Sequence, residues 1–163
     1  MTVSIFTTSG ATFSISTTST APGTYDASGY GALTYSSCGS VENIGSFGDA
    51  SNEVTFDDIA NGRTIKLKGQ RNAGNIELVL GYDDTDTGQG YLKTAEEDDS
   101  TADWNFKITL PNKQNAGGTD AIIYFSGKVM SNVIAAETAD NVTRRNVTIG
   151  INTALVVVNS TAA

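Results

Sequence analysis

The clearest pattern in the chain is an alternation of apolar and polar residues on either side of an Asn-Gly pair. Glu53-Val54-Thr55-Phe56-Asp57-Asp58-Ile59-Ala60 runs into Asn61-Gly62 and leaves through Arg63-Thr64-Ile65-Lys66-Leu67-Lys68. Asn-Gly favours a type I′ turn, in which both central residues take positive φ. A two-residue turn pairs Ala60 with Arg63. It sets Phe56 opposite Leu67, with Val54 and Ile65 on the same face, and Asp57 opposite Lys66. Such a ribbon is marginal in isolation, because two strands have little to bury against.

The same period of two recurs downstream. Ile76–Leu80 reads as a strand after a turn around Gly74. Asp103–Leu110 alternates Trp104, Phe106, Ile108 and Leu110 with Asn105, Lys107 and Thr109, the pattern of a half-buried strand that Pro111 ends. Strands are expected over Ala121–Val129, Asn132–Glu137, Val142–Ile151 and Ala154–Val158. One short helix is expected over Gln89–Asp98, with Tyr91, Leu92 and Ala95 on one face. Upstream, Val3–Phe6 and Ala11–Ser16 each have strand character, and Thr17–Tyr30 reads as a loop or arm. Many strands, short turns and one helix predict a mainly β domain, a β-sandwich or small barrel.

Composition narrows the class. The 163 residues include 17 Gly, two Pro and one Cys, with no His. That length is enough for one domain with a core that needs no disulfide or metal. No apolar run reaches a membrane-spanning length, and the N-terminus lacks the pattern of a signal peptide. Cys38, at the end of a strand-like run and with no His to activate it, is expected to be a small buried residue. The Asn-x-Thr sequons at Asn141, Asn146 and Asn159 are expected to be incidental to a Thr-rich sequence.

The net charge of −8 opposes ordinary nucleic-acid binding, which depends on Lys and Arg displacing counterions. Charge is unevenly placed. Residues 1–62 hold no base, and Arg63, Lys66, Lys68 and Arg71 then form a basic cluster. Asp83, Asp84, Asp86, Glu96, Glu97, Asp98, Asp99 and Asp103 follow, with Lys93 the single base among them. Separate patches of opposite sign suit either a solvated surface or contacts between copies.

Catalytic chemistry is missing. Without His there is no His-based triad and no zinc-His site. No phosphate loop, dinucleotide fingerprint or serine elbow is present. Asp84-Thr85-Asp86-Thr87-Gly88 fails the calcium-loop pattern, because the glycine falls early and Ala95 stands where a bidentate Glu is needed. Neither enzyme activity, nor a cofactor, nor a metal site is expected.

From about Val41 to Val158 the order of features resembles the major tail tube proteins of long-tailed bacteriophages. The resemblance is carried by Val54-Thr55-Phe56-Asp57-Asp58-Ile59 and by Lys68-Gly69-Gln70-Arg71-Asn72-Ala73-Gly74-Asn75-Ile76-Glu77-Leu78. Tyr82-Asp83 and the helix holding Leu92 come next. Phe106-Lys107-Ile108-Thr109-Leu110-Pro111, Ile123-Tyr124-Phe125-Ser126-Gly127-Lys128-Val129 and Asp140-Asn141-Val142 complete it.

The resemblance implies a β-sandwich-like domain over residues 31–163 with a flanking helix, preceded by an arm at 1–30 that orders on assembly. It implies self-assembly into hexameric rings that stack into a tube, contacts with other tail proteins, and passage of double-stranded DNA through the bore without specific binding. The place implied is the virion tail, assembled in the host cytoplasm, with no membrane. Contact candidates between copies are Val54, Phe56, Asp57, Asn61, Gly62, Arg63, Lys66, Lys68 and Arg71. The acids Asp83, Asp84, Asp86, Glu96, Glu97, Asp98 and Asp99 are candidates for the bore or for the outer surface. Two other readings stay open. A β-sandwich binding module, with Tyr25, Tyr30 and Tyr35 as a platform, would be a stable monomer. A capsid-decoration or head–tail joining protein would assemble on a partner shell.

Overall fold

The computed structural model describes residues 5–162. The first elements are β1 (Thr12–Ser16), α1 (Ala27–Gly31), β2 (Tyr35–Cys38), β3 (Val41–Asn43), β4 (Ala50–Asp58) and β5 (Arg63–Asn72). They are followed by β6 (Asn75–Gly81), α2 (Thr87–Glu96), β7 (Trp104–Leu110), β8 (Ala121–Ala135), β9 (Arg144–Ile151) and β10 (Val156–Val158). The main sheet is antiparallel in the order β2-β1-β7-β8-β9-β6-β3, and β10 also pairs with β8. Among the described residues, β4 and β5 pair only with each other.

The alternating strands bury one face. Phe13 and Ile15 of β1 share a single apolar cluster with Ile76, Leu78 and Leu80 of β6, although three strands lie between them in the sheet. Such a sheet must curl around its core, as the inherent twist of strands favours. Phe106 and Phe125, direct partners on β7 and β8, stack at 5.1 Å between ring centres. Leu92 and Ala95 of α2 are buried in the same cluster. Each fully buried Leu, Ile or Phe of this cluster contributes roughly 1.5–3 kcal/mol of transfer free energy.

The helix starts earlier than the sequence predicts, at Thr87. Asp86 caps it by accepting the Gln89 backbone N–H at 2.7 Å, and its other carboxylate oxygen accepts the Gly39 N–H at 3.0 Å. The first turn therefore lies tight on the end of β2. A Cβ at Gly88 would stand 2.3 Å from the Ser37 carbonyl oxygen.

Several expectations are corrected. The two strands expected over 121–137 are one, β8. Met130 is an extra residue between the Val129–Ile149 and Ser131–Thr148 pairs, a β-bulge that the strand absorbs. Asn105, expected on a wetted face, is fully buried. Segment 17–34 lies over that face, and the short helix α1 occupies part of what reads as a loop. Asn105 donates to the Thr20 carbonyl at 2.8 Å and accepts from Ser126 Oγ at 2.7 Å. Tyr30 is fully buried, stacked on Tyr124 at 5.5 Å, with its hydroxyl 2.8 Å from Ser126 Oγ. It is therefore no part of an exposed aromatic platform. Of the strand expected at 3–6, residues 3 and 4 lie outside the described residues, and Ile5 and Phe6 form no strand.

Cys38 is buried, and burial first, then the nearby Asp86 carboxylate, pushes its thiol up to about 12. Among the described residues, no helix is long and apolar enough to cross a membrane.

Candidate assembly interface

The β4–β5 hairpin forms where the sequence places it, with a different register. Asp58 pairs with Arg63, Phe56 with Ile65 and Val54 with Leu67. The connection is the longer loop 59–62, and Ala60 does not pair with Arg63. Asp58 causes this: its Oδ1 accepts the backbone N–H of Ala60 at 3.0 Å and of Asn61 at 3.4 Å, and its Oδ2 accepts the Asn61 side-chain amide. These bonds hold the Asp58 carboxyl below its usual range. A side-chain-closed turn of this kind competes directly with the Asn-Gly hairpin turn. Gly62 still takes positive φ, at 57°.

The register correction keeps the faces. Val54, Phe56, Ile65 and Leu67 make one apolar face, and none of them is buried. Phe56 is 58% exposed, and Ile59 at the tip is 96% exposed. Thr55, Asp57, Thr64 and Lys66 lie on the other face. Lys66 pairs with Glu53 at 2.9 Å, and Asp57 accepts from Thr64 Oγ1 at 2.8 Å, so the expected Asp57–Lys66 pairing is not formed. Lys68 and Arg71 pair with Glu53 and Ser51 across a bulge. All of the contact candidates named from the sequence therefore stand on one ribbon that joins no strand of the main sheet.

A second surface was not legible in the sequence. β7 pairs with β8 only as far as Gly127, whereas β9 pairs with it from Gly127 to Ala135. Among the described residues, no strand pairs the other edge of β8 over 128–135. Met130, Val133 and Ile134 are exposed there. An unpaired edge of this length is a template for another strand.

The acidic candidates divide by role. Asp83 accepts Thr85 N–H and Oγ1, Asp86 caps α2, and Asp98 accepts Trp104 Nε1 at 2.9 Å. The Asp83 carboxyl is held below its usual range chiefly by Thr85, and the Asp98 carboxyl chiefly by Ser100, whose backbone N–H it accepts at 3.0 Å, with Trp104 contributing less. Glu97 stands 3.7 Å from Lys93 in an exposed i,i+4 pair. Asp84, Glu96 and Asp99 point to solvent. The loop and helix that carry these acids lie on the core side of the sheet, where Arg145 Nη1 of β9 bonds the Gln89 carbonyl at 2.8 Å. The opposite side of β6 and β9 exposes Glu77 and Asn146. Among the described residues, no cluster of three or more possible metal-ligating side chains is found.

An antiparallel curled sheet, the flanking helix α2, the short α1 and a separate two-stranded hairpin make a tail-tube-like fold. Comparison with solved structures bears this out. The chain matches the sheath/tube terminator of the extracellular contractile injection system PVC, with a TM-score of 0.62 at 13% identity over 93% of both chains. It matches a chain of the anti-feeding prophage baseplate, with a TM-score of 0.65 at 12% identity over 91% of both. It also matches the SPP1 tail tube, with a TM-score of 0.58 at 12% identity, over 94% of this chain and 78% of that one. No protein-family model matches the sequence, and no curated protein does. At these identities the likeness shows the fold. The neighbours are structural parts of tubes and baseplates, not enzymes.

Proposed function

We propose that the chain is the subunit of a phage-type tail tube. Copies join into hexameric rings, and rings stack into a hollow conduit in the virion tail that double-stranded DNA crosses without specific binding. Assembly takes place in the host cytoplasm, and other tail proteins meet the tube at its ends. The observation that carries this reading is the hairpin: an amphipathic ribbon with an open apolar face, projecting from a fold shared with a tail tube. In an isolated chain that face is a cost; against a second copy it becomes burial.

The open edge of β8 supplies the second contact. Edge pairing between copies closes into a ring and removes the edge, while a head-to-tail contact through the hairpin propagates along an axis. Lys66, Lys68 and Arg71 on the hairpin meet acids of the neighbouring copy, for which Glu96, Glu97, Asp98 and Asp99 provide charge of opposite sign. The exposed face of β6 and β9, with Glu77 and Asn146, turns to the bore, so that the bore has few cations to hold DNA phosphates.

Sedimentation velocity across a concentration series tests the reading. Wild type is expected to grow into large species as concentration rises, less so in high salt. A Phe56→Ser/Ile65→Ser variant is expected to keep its circular dichroism and to stay small. Wild-type-like growth of that variant would remove the hairpin from the interface. The likeness to a tube terminator supports a second reading, in which the chain closes a tube's end. A terminator stops at one ring at any concentration, whereas a tube subunit continues.

A further inference from the structure

Asn61-Gly62 is the single Asn-Gly pair in the chain, and both residues are exposed at the hairpin tip. A residue following Asn normally shields its own backbone nitrogen with a side chain. Here there is none, and the space where a Cβ would stand at Gly62 is empty to 4 Å. Within the loop, Asn61 is held by Asp58, which accepts its backbone N–H and its side-chain amide. Asn61 is exposed and Asp58 is half-buried, and Ile59, Ala60 and Gly62 are exposed as well, so no packed core fixes the backbone of the loop.

We propose that Asn61 is a modification site that deamidates without an enzyme in the unassembled chain. The Gly62 backbone nitrogen gives its proton to hydroxide and attacks Asn61 Cγ. A C–N bond forms to Cγ, the bond from Cγ to the side-chain nitrogen breaks, and that nitrogen leaves as ammonia after taking a proton from water. The resulting five-membered imide is opened by water at either carbonyl. One opening gives aspartate, and the other gives isoaspartate with an extra main-chain carbon. The overall change is asparagine plus water to aspartate or isoaspartate plus ammonia.

Each product alters the tip. A carboxylate at 61 replaces the amide donor that Asp58 accepts, so the bond becomes a like-charge contact and the loop closure weakens. The isoaspartyl form also lengthens the loop 59–62. The site stands on the local geometry and chemistry alone and does not depend on the tube reading.

The test is peptide mapping by mass spectrometry. The folded full chain is incubated in mildly alkaline buffer beside the same chain in denaturant. Conversion confined to Asn61 is expected in the folded chain, at a rate within about tenfold of the denatured one, a barrier difference of about 1.4 kcal/mol. The rate is expected to rise with hydroxide concentration, and Asn61→Gln is expected to abolish the conversion. A folded-chain rate slower than that limit, or conversion led by another asparagine, would overturn the proposal.

Discussion

Lys66 Nζ lies 2.9 Å from Glu53 Oε2, while Asp57, which a two-residue turn sets opposite Lys66, accepts instead from Thr64. The hairpin is thus displaced in register by an even number of residues. Side chains in a strand alternate faces, so an even slip leaves the apolar face whole, where an odd slip would have inverted it. The Glu53–Lys66 pair is exposed at both ends, with side chains 54% and 68% accessible. Exposed pairs of this kind contribute ~0.2–1 kcal/mol. Glu53→Ala is expected to lower unfolding stability by no more than that in thermal denaturation. A larger loss would mean that the hairpin leans on its own domain.

Tyr30 ties the 17–34 segment to the sheet. Its hydroxyl meets Ser126 Oγ at 2.8 Å, and Ser126 in turn donates to buried Asn105. Tyr30→Phe keeps the stack on Tyr124 and removes the hydroxyl, leaving polar atoms buried with a partner fewer. A loss of about 1–2 kcal/mol is expected in urea unfolding. Tyr30→Ala also removes the ring and is expected to cost about 3–5 kcal/mol.

Asp86 bonds two backbone amides, Gln89 N of its own helix and Gly39 N at the end of β2. Asp86→Ala is expected to destabilise by about 2 kcal/mol, the combined effect of a lost cap and a lost buried-side bond. Asp86→Asn keeps an oxygen acceptor and should recover most of it. Equal losses for the two variants would show that the carboxylate's charge, not the cap, is what matters.

Alkaline pH gives a separate test of the core. The Cys38 thiol is raised from 9.0 to about 12 in the folded chain, chiefly by burial. Between those values the unfolded chain has released this proton and the folded chain has kept it. Stability therefore falls as pH rises through that window, by about 1.4 kcal/mol per pH unit for one proton. Burial also raises the phenols of Tyr35 and Tyr124, which adds to the decline in the same direction. Cys38→Ala is expected to show a shallower slope above about pH 9 than wild type, whatever its absolute stability. An unchanged slope would place the thiol in contact with water.

Strands with unbroken alternation were legible in the sequence. Ile76–Leu80 and Trp104–Leu110 sit where the period of two puts them, because half-buried strands write their faces directly into composition. The bulge at Met130 was not legible. It shifts the alternation by one residue in mid-strand, and periodicity reads that shift as a break between two strands. Asn105 misleads for a tertiary reason: a segment about 85 residues earlier covers it and satisfies its amide. The hairpin register followed from Asp58, whose carboxylate closes the loop that Asn-Gly alone would have made shorter. The helix start had a readable signal, an Asp three residues before a Gln, which is a near relative of the capping box. Of the candidate interface, the ribbon was evident from its pattern. The open edge of β8 depends on where β7 stops, which is a property of the folded sheet.

The most direct test of the hairpin's role is negative-stain electron microscopy of wild type and of a variant lacking the tip 59–62, at equal concentrations over a wide series. Wild type is expected to form uniform hollow tubes, and the variant to remain folded and to form none. Tubes of normal width and length from the variant would contradict the assignment of the β4–β5 hairpin as the contact that builds the tube.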